Sequence, residues 1–261
     1  MLRHSSILKV LPLVPMLSLS LPALAQSFYV SGSVGKNYQD DTSNNGTFTS
    51  NFTTGAVTGV TPPLDIAAGS PVSWHTNYDN GDAYSIAFGM KLENYRFELE
   101  YAMSDADVDN HQNVNAAGID LSGIDAGVLI SGNVGDLGVT TANLVADGRG
   151  DFETETLMLN AYYDFVTDSA FTPYVGVGIG TANTEIEFRP SAVGVLSDDD
   201  DGFVYQFILG ISYDINDTLS AYGSYTFRDA DEASLDARLL PANFDINNES
   251  NVLNVGLRYS F

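Results

Sequence analysis

The sequence has no cysteine, which excludes disulfides, thiolate metal centres and cysteine nucleophiles. Positive charge is scarce: 10 Lys and Arg stand against 34 Asp and Glu, a formal net charge of −24. Such a chain lacks the basic face that neutralises phosphates, so nucleic acid is excluded as a partner. Histidine is nearly absent, with three residues in 261. Hydrolytic chemistry needs a nucleophile within reach of a base, commonly Ser or Asp beside His. His4 falls in the N-terminal segment, and His75 and His111 fall in separate connecting segments. Ser73-Trp74-His75 has no strand context in the sequence. The expectation is therefore not an enzyme, and no catalytic, cofactor-binding or metal-ligating residue is assigned. Beyond residue 25 there is also no unbroken apolar run approaching the ~18 residues of a spanning helix.

What is present points to β-structure. Apolar residues make up 44% and aromatic residues 11%, which separates the chain from disordered acidic sequences. Glycine is frequent, at 24, as expected of many turns. The length suggests one or two domains at roughly 150 residues each.

Residues 1–25 carry the pattern of a secretory signal. Arg3, His4 and Lys9 precede an apolar stretch from Leu11 to Leu21. Ala23-Leu24-Ala25 is a small-x-small cleavage site, so the mature chain is expected to start at Gln26. A membrane anchor is the competing reading, but the apolar core is short and broken by Pro12, Pro15 and Pro22. The expected domains are thus a signal peptide over 1–25 and a single β-domain over 26–261.

The mature sequence alternates with period two, the signature of strands with one apolar face. The last segment is the plainest: Leu253, Val255, Leu257, Tyr259 and Phe261 alternate with Asn254, Gly256, Arg258 and Ser260. Seven more segments behave alike, near 27–38, 83–92, 95–104, 152–165, 172–187, 203–215 and 218–228. Short turns sit at Glu93-Asn94, Val166–Ala170 and Asn216-Asp217, whereas the connections over 39–82, 105–150, 188–202 and 229–249 are long. An even strand count, ~10-residue segments and turns short at one end only fit a bacterial outer-membrane barrel. In hydrocarbon every backbone N–H and C=O must be paired, so a spanning sheet closes on itself. A soluble sandwich or lipocalin-like barrel also alternates. The export signal, the loop asymmetry and the aromatic ends favour the membrane. Phe28, Tyr95, Phe165, Tyr213, Tyr259 and Phe261 mark the short-turn end, and Tyr84, Tyr101, Phe152, Phe203 and Phe227 the long-loop end.

Three stretches carry a family resemblance: FTPYVGVGIG at 171–180, FVYQFILGISYDI at 203–215 and NVLNVGLRYSF at 251–261. The chain resembles the small outer-membrane β-barrels, namely the opacity-protein and OmpA-like barrel family and the related bacterial surface antigens. The resemblance implies an all-β, eight-stranded antiparallel up-and-down transmembrane barrel, with short periplasmic turns and long extracellular loops. It implies outer-membrane lipid as surroundings and the barrel-assembly machinery as a partner, through the last strand ending at Phe261 with Tyr259 two residues before. It also implies that the peptidoglycan-binding domain of the larger OmpA-type proteins is absent. Function varies across such barrels, so the likeness speaks to fold and location more than to activity.

An eight-stranded barrel is only wide enough for side chains to fill. Alternation places Lys91, Arg96, Arg228 and Arg258 inward, against Glu98, Glu100, Asp164 and Asp214. Balance of sign points to an internal salt-bridge network, because an unpaired buried ion is costly. Tyr29, Tyr162, Tyr174 and Tyr222 add bulk on the same face. The excess charge lies in the long connections, with 22 acidic residues against Arg149, Arg189 and Arg238. Asp198 to Asp201 form an unbroken run. Asp105, Asp107 and Asp109 open like a calcium loop, but Asn110 and Ala116 stand where Gly and Glu belong, so an EF-hand is not expected. The loops remain candidate sites for divalent cations or a cell-surface ligand. Residues 119–146 hold enough apolar residues for a hairpin above the membrane; inside the membrane it would make ten strands. The function expected is a structural or surface-interaction protein displaying acidic loops, with a narrow porin for small solutes or cations as the alternative.

Overall fold

The structure is a computed structural model that describes residues 26–261. The expected signal segment, 1–25, lies outside the described residues. The strands are β1 (Gln26–Gln39), β2 (Thr42–Phe48), β3 (Phe52–Thr53), β4 (Asp65–Ile66), β5 (Pro71–Tyr78), β6 (Gly81–Leu92), β7 (Tyr95–Ala116), β8 (Ile119–Asp120), β9 (Gly150–Asp164), β10 (Phe171–Phe188), β11 (Leu196–Asp214), β12 (Leu219–Asp236) and β13 (Ala242–Ser260). One short helix, α1, covers Thr141–Val145.

Eight of these strands close a ring in the order β1-β6-β7-β9-β10-β11-β12-β13, and β13 pairs back to β1. Every pairing in the ring is antiparallel. The ring uses all eight segments that the alternation marked. Its tight turns have local causes: Asn216 Oδ1 accepts from the backbone N–H of Thr218 at 3.0 Å and Leu219 at 2.9 Å, which fixes the β11–β12 reversal.

The strands run well past the expected segments. β7 has 22 residues and β11 and β13 have 19 each. At ~3.4 Å per residue and a tilt of about 40°, β7 rises more than 50 Å, about twice the ~25 Å apolar band of a membrane barrel. The chemistry of the two faces reverses along that length. On β10, Val175, Val177 and Ile179 are exposed and Tyr174, Gly176 and Gly178 face inward. Further up the same strand Ile186 and Phe188 are buried, while Glu185 and Glu187 face out. The parity is unchanged; the solvent outside has changed from lipid to water. The lower half is thus a membrane barrel with a polar interior. The upper half, the crown, is a water-type barrel with an apolar core of Phe48, Phe152, Ile186, Phe188, Leu235 and Phe244 among others.

The long connections are therefore mostly wall, which corrects the sequence reading. β2 continues the line of β1 and β5 leads into β6. In the crown β2 pairs with β13, β5 pairs with β7, and the two pair with each other. Phe152, expected in the aromatic girdle, is 1% exposed inside the crown. Residues 119–146 form neither a wall hairpin nor extra membrane strands, so the ring stays at eight. β8 pairs with β7, a 3₁₀ turn spans Ala126–Leu129, and α1 follows. Leu121, Ala126, Val128 and Val145 are buried, so this segment caps the crown because its apolar residues find a core there. Asp125 ties it together, accepting from the backbone N–H groups of Gly127, Leu137 and Gly138 at 2.8–2.9 Å. Those amides, Leu137 first, hold its carboxyl below the ordinary range.

Candidate functional site: a sealed lumen and an acidic crown

The lumen is packed by aromatic–cation layers that the sequence reading did not contain. The Arg96 guanidinium lies over the rings of Tyr162 and Tyr174, at 4.3 and 4.6 Å from their centroids. Arg258 sits between Tyr29 and Tyr222 at 5.2 Å from each. Each of these four tyrosines stands directly across from a glycine on the next strand: Tyr29 from Gly89, Tyr162 from Gly176, Tyr174 from Gly210, Tyr222 from Gly256. A Cβ on any of the four glycines would meet the facing ring at 2.2–2.4 Å, so the ring occupies the space a side chain would need.

The expected ion-pair network is present in part. Arg96 Nε donates to Asp164 at 2.9 Å, its Nη1 is 3.5 Å from Glu98, and Lys91 reaches Asp164 at 3.3 Å from the short-turn rim. Arg228 and Glu100 meet through an amide: Gln206 Oε1 accepts from Arg228 at 3.2 Å, and Gln206 Nε2 donates to Glu100 at 3.3 Å and to Asn160 at 2.9 Å. Two members depart from the expectation. Asp214 is exposed at the short-turn end and joins no ion pair among the described residues. Among the described residues Arg258 has no carboxylate within 4 Å, and its tyrosine stack takes that place. Above this level Met158, Ala182, Val204 and Ala230 form an apolar layer. Asn248 then bridges Thr154 at 3.2 Å and Thr184 at 2.8 Å. The cavity among the charged and tyrosine side chains is about 30 Å³, room for a water molecule rather than a channel.

Outside the crown the register brings acids together. Asp105 on β7 faces Glu153 on β9, Glu153 faces Glu185 on β10, and Glu185 faces Asp199 on β11. Among the described residues no Lys or Arg pairs with that row. Burial, then the neighbouring Glu185 and Asp151 carboxylates, push the Glu153 carboxyl above its ordinary range. In the next row up, Asp151 and Glu187 share one cation, Arg189, at 3.2 Å from each. Like charges directly across a strand pair are unfavourable, so this row costs stability. Asp105, Asp107 and Asp109 lie at alternate positions of β7, about 7 Å apart along the strand, and do not converge as a calcium loop would. The run Asp198–Asp201 divides by parity. Asp198 and Asp200 accept from the backbone N–H groups of Asp236 at 3.1 Å and Ser234 at 3.0 Å, bridging β11 and β12 beyond Val204 and Ala230, where their ladder stops. Asp201 accepts from Asn183 at 2.9 Å on the outer face.

The histidines are not loop residues. His75 and His111 lie on the paired strands β5 and β7, facing opposite sides of the wall. His75 faces out, with Ser43 Oγ 3.4 Å from its Nδ1. His111 is 4% exposed in the crown core, beside Trp74 and Phe188. Burial pushes its imidazolium pKa down to about 4, with Asp147 opposing weakly. Nothing in the local sequence marked His111 as buried, because the partners that bury it come from β5 and β10.

A closed eight-strand ring, an apolar outer band and a filled polar interior define a small outer-membrane β-barrel. The chain matches the surface antigen family over residues 25–249 and belongs to it. It is 32% identical over 85 residues to the outer membrane protein PagN of Salmonella typhimurium, a match covering 31% of this chain and 36% of PagN. The matched region thus spans about a third of that curated relative. Among solved structures it is similar in fold to the outer membrane protein OprG of Pseudomonas aeruginosa, with a TM-score of 0.54, 17% identity, and coverage of 90% and 95% of the two chains. Neisserial surface protein A aligns at a TM-score of 0.45 and 13% identity, over 90% of this chain and 97% of the other. The protein is a bacterial outer-membrane protein of the surface antigen class.

Proposed function

We propose that the protein is a non-catalytic surface-interaction protein: a sealed barrel that holds an acidic crown outside the cell. One observation carries this reading. The unneutralised row Asp105, Glu153, Glu185 and Asp199 crosses four adjacent strands just above the lipid-facing band. A row that costs stability and shapes no core is explained by what it meets outside. Its partners are cationic groups on another surface, or divalent cations that bridge it to anionic ones. The long connections then face outward, the signal segment directs export and is cleaved after Ala25, and the strand ending at Tyr259 and Phe261 is read by the assembly machinery. The layered interior supports a sealed barrel over a narrow porin. The placement of His75 and His111 on opposite faces supports the absence of catalysis.

The test is binding of a fluorescent oligolysine to whole cells that carry the protein, lack it, or carry the fourfold variant Asp105→Asn, Glu153→Gln, Glu185→Gln, Asp199→Asn. Binding is expected to rise with the protein, to fall back in the variant, and to weaken as Mg²⁺ is added. Equal binding by all three strains at equal surface levels of protein defeats the reading.

A further inference from the structure

The cap of the crown spends its polar side chains on bracing itself and leaves apolar ones in water. From Ile130 to Gly138 the chain runs beside Ala56 and Thr58. Asn133 O accepts from the Ala56 N–H at 2.9 Å, and the Gly135 N–H donates to Ala56 O at 2.8 Å. Asp136 Oδ1 accepts from the Thr58 N–H and its Oδ2 from the Thr58 hydroxyl, both at 2.7 Å. Asn133 Nδ2 donates to the Gly135 carbonyl at 2.8 Å, and Asp125 holds the amides of Leu137 and Gly138. Gly132 and Gly135 have φ of 76° and 98°, and a Cβ at either would meet nothing, so glycine serves the backbone path there rather than space. The loop is held from both sides, and what it presents is Ile130, Val134 and Leu137. Val134 is 87% exposed, and the other two are half-exposed. Ala126 and Val128, a few residues earlier, are buried. The segment therefore has a core within reach, and these three side chains are held away from it. Single exposed apolar residues are ordinary, but three on one braced loop mark a contact surface.

We propose that this loop docks into an apolar depression rimmed with Lys or Arg on another protein. The charge around the loop gives the sign of the rim. Segments 49–70 and 119–146 pack on each other at this end of the crown, and together they hold four Asp and no Lys or Arg. The acidic wall lies below them. A cationic rim is attracted by that field, and an acidic one is repelled. A lipid surface fits less well. The loop has no basic residue to meet anionic headgroups and no aromatic residue to anchor at a membrane interface. The bracing lowers the ordering cost of docking, because the three side chains already stand on a fixed backbone. The proposal rests on the acidic-crown reading for the charge of the partner, and adds the apolar contact which that reading lacks.

The full barrel in phosphatidylcholine nanodiscs is titrated with three fluorescent peptides, with empty nanodiscs as the blank. The peptides are Lys-Lys-Leu-Leu-Lys-Lys, Lys-Lys-Ser-Ser-Lys-Lys and Ser-Ser-Leu-Leu-Ser-Ser. The lysine–leucine peptide is expected to bind about fivefold more tightly than the lysine–serine peptide, as partial burial of two leucines gives. The uncharged leucine peptide is expected to bind more weakly than either. The triple variant Ile130→Ser, Val134→Ser, Leu137→Ser changes only exposed side chains. It is expected to erase the preference for leucine and to leave the affinity for the lysine–serine peptide unchanged. If neither lysine peptide binds, the acidic-crown reading fails and this proposal fails with it. If the two bind equally, or the preference survives the triple variant, this proposal alone fails. Capture of phosphatidylcholine vesicles by the immobilised protein, lost in the triple variant, would give the loop to a membrane and overturn the proposal as well.

Discussion

Tyr29 lies flat across the strand boundary on Gly89: its ring fills the space a Cβ would occupy, at 2.3 Å. The relation recurs at Tyr162 on Gly176, Tyr174 on Gly210 and Tyr222 on Gly256. In each pair the glycine gives up its side chain and the tyrosine supplies twice the usual bulk, which is how eight strands close without leaving a hole. The rings are then in place to stack on Arg96 and Arg258.

Filling one of these glycines should therefore destabilise more than removing a lipid-facing side chain. Gly89→Val is expected to cost about 1–3 kcal/mol, because the Tyr29 ring is buried beside Arg258 and must leave its stack. Unfolding in urea, followed by the gel-mobility shift of the folded barrel, measures it. A cost no greater than that of Val255→Ala on the lipid face would show that the ring has room to move.

Arg96 and Arg258 should respond differently to loss of charge. Arg96→Met leaves Glu98 buried without its counter-charge and Asp164 with the rim Lys91 alone, at about 3–5 kcal/mol. Arg258→Met leaves no carboxylate behind and loses cation–π contacts worth about 1–2 kcal/mol in all. Asp164→Asn should offset part of Arg96→Met, so the double variant costs less than the sum. Equal losses for the two arginines would mean that Arg258 has a charged partner after all.

Alternation made the membrane half of this fold legible in the sequence, down to the inward placement of Tyr29, Tyr162, Tyr174 and Tyr222. The crown carries the same period, as Ile186 and Phe188 against Glu185 and Glu187 show. It reads as loop only if strands are sought by an apolar outer face. Outside lipid that face becomes acidic and the apolar residues turn inward. Pairings across the barrel were not legible, because they depend on register between distant strands. Arg258 meets Tyr29 and Tyr222 from β13, β1 and β12. His111 meets Thr76 and Phe188 from β7, β5 and β10. No local spacing marks either set.

Acid should loosen the crown through His111. Its folded pKa of about 4 lies below the ordinary value of 6.5, so between these values the unfolded crown binds more protons than the folded one. The stabilisation is complete above about pH 6.5 and is lost as pH falls toward 4, by up to about 3 kcal/mol. Glu153 and Asp105 act in the opposite sense at the lower end, since their carboxyls are raised and protonation relieves the row. The emission of Trp74 should therefore shift to the red between pH 6.5 and 5, and His111→Phe should flatten that part of the curve. An unchanged curve in the variant would assign the loosening to another group.

Trypsin on intact cells should report the orientation. If the crown is outside, Arg149 and Arg238 are the reachable arginine sites, since both lie at the long-connection end and are exposed, whereas Arg189 precedes Pro190 and is not cut. Arg96, Arg228 and Arg258 are buried in the wall and should survive. Protection of Arg149 and Arg238 on intact cells, with cleavage there only after the outer membrane is opened, would reverse the assignment.

Purified protein in planar bilayers should be electrically silent, and the reason lies in the order of the layers. An ion entering from the short-turn end meets Lys91, Asp164 and Arg96, then the tyrosine stacks, then Gln206 with Glu100 and Arg228. Beyond them Met158, Ala182, Val204 and Ala230 close the bore with apolar atoms, where a bare ion loses its hydration without compensation. The crown core of Phe152, Ile186, Phe188 and Phe244 lies above that. Opening one layer leaves the next in place, so Gln206→Ala alone should not conduct, and Gln206→Ala with Met158→Ala should do no more than admit water below the crown. Steady, ohmic single-channel currents from the unaltered protein would overturn the sealed-barrel reading and favour a narrow porin, because no rearrangement of one side chain opens all of these layers.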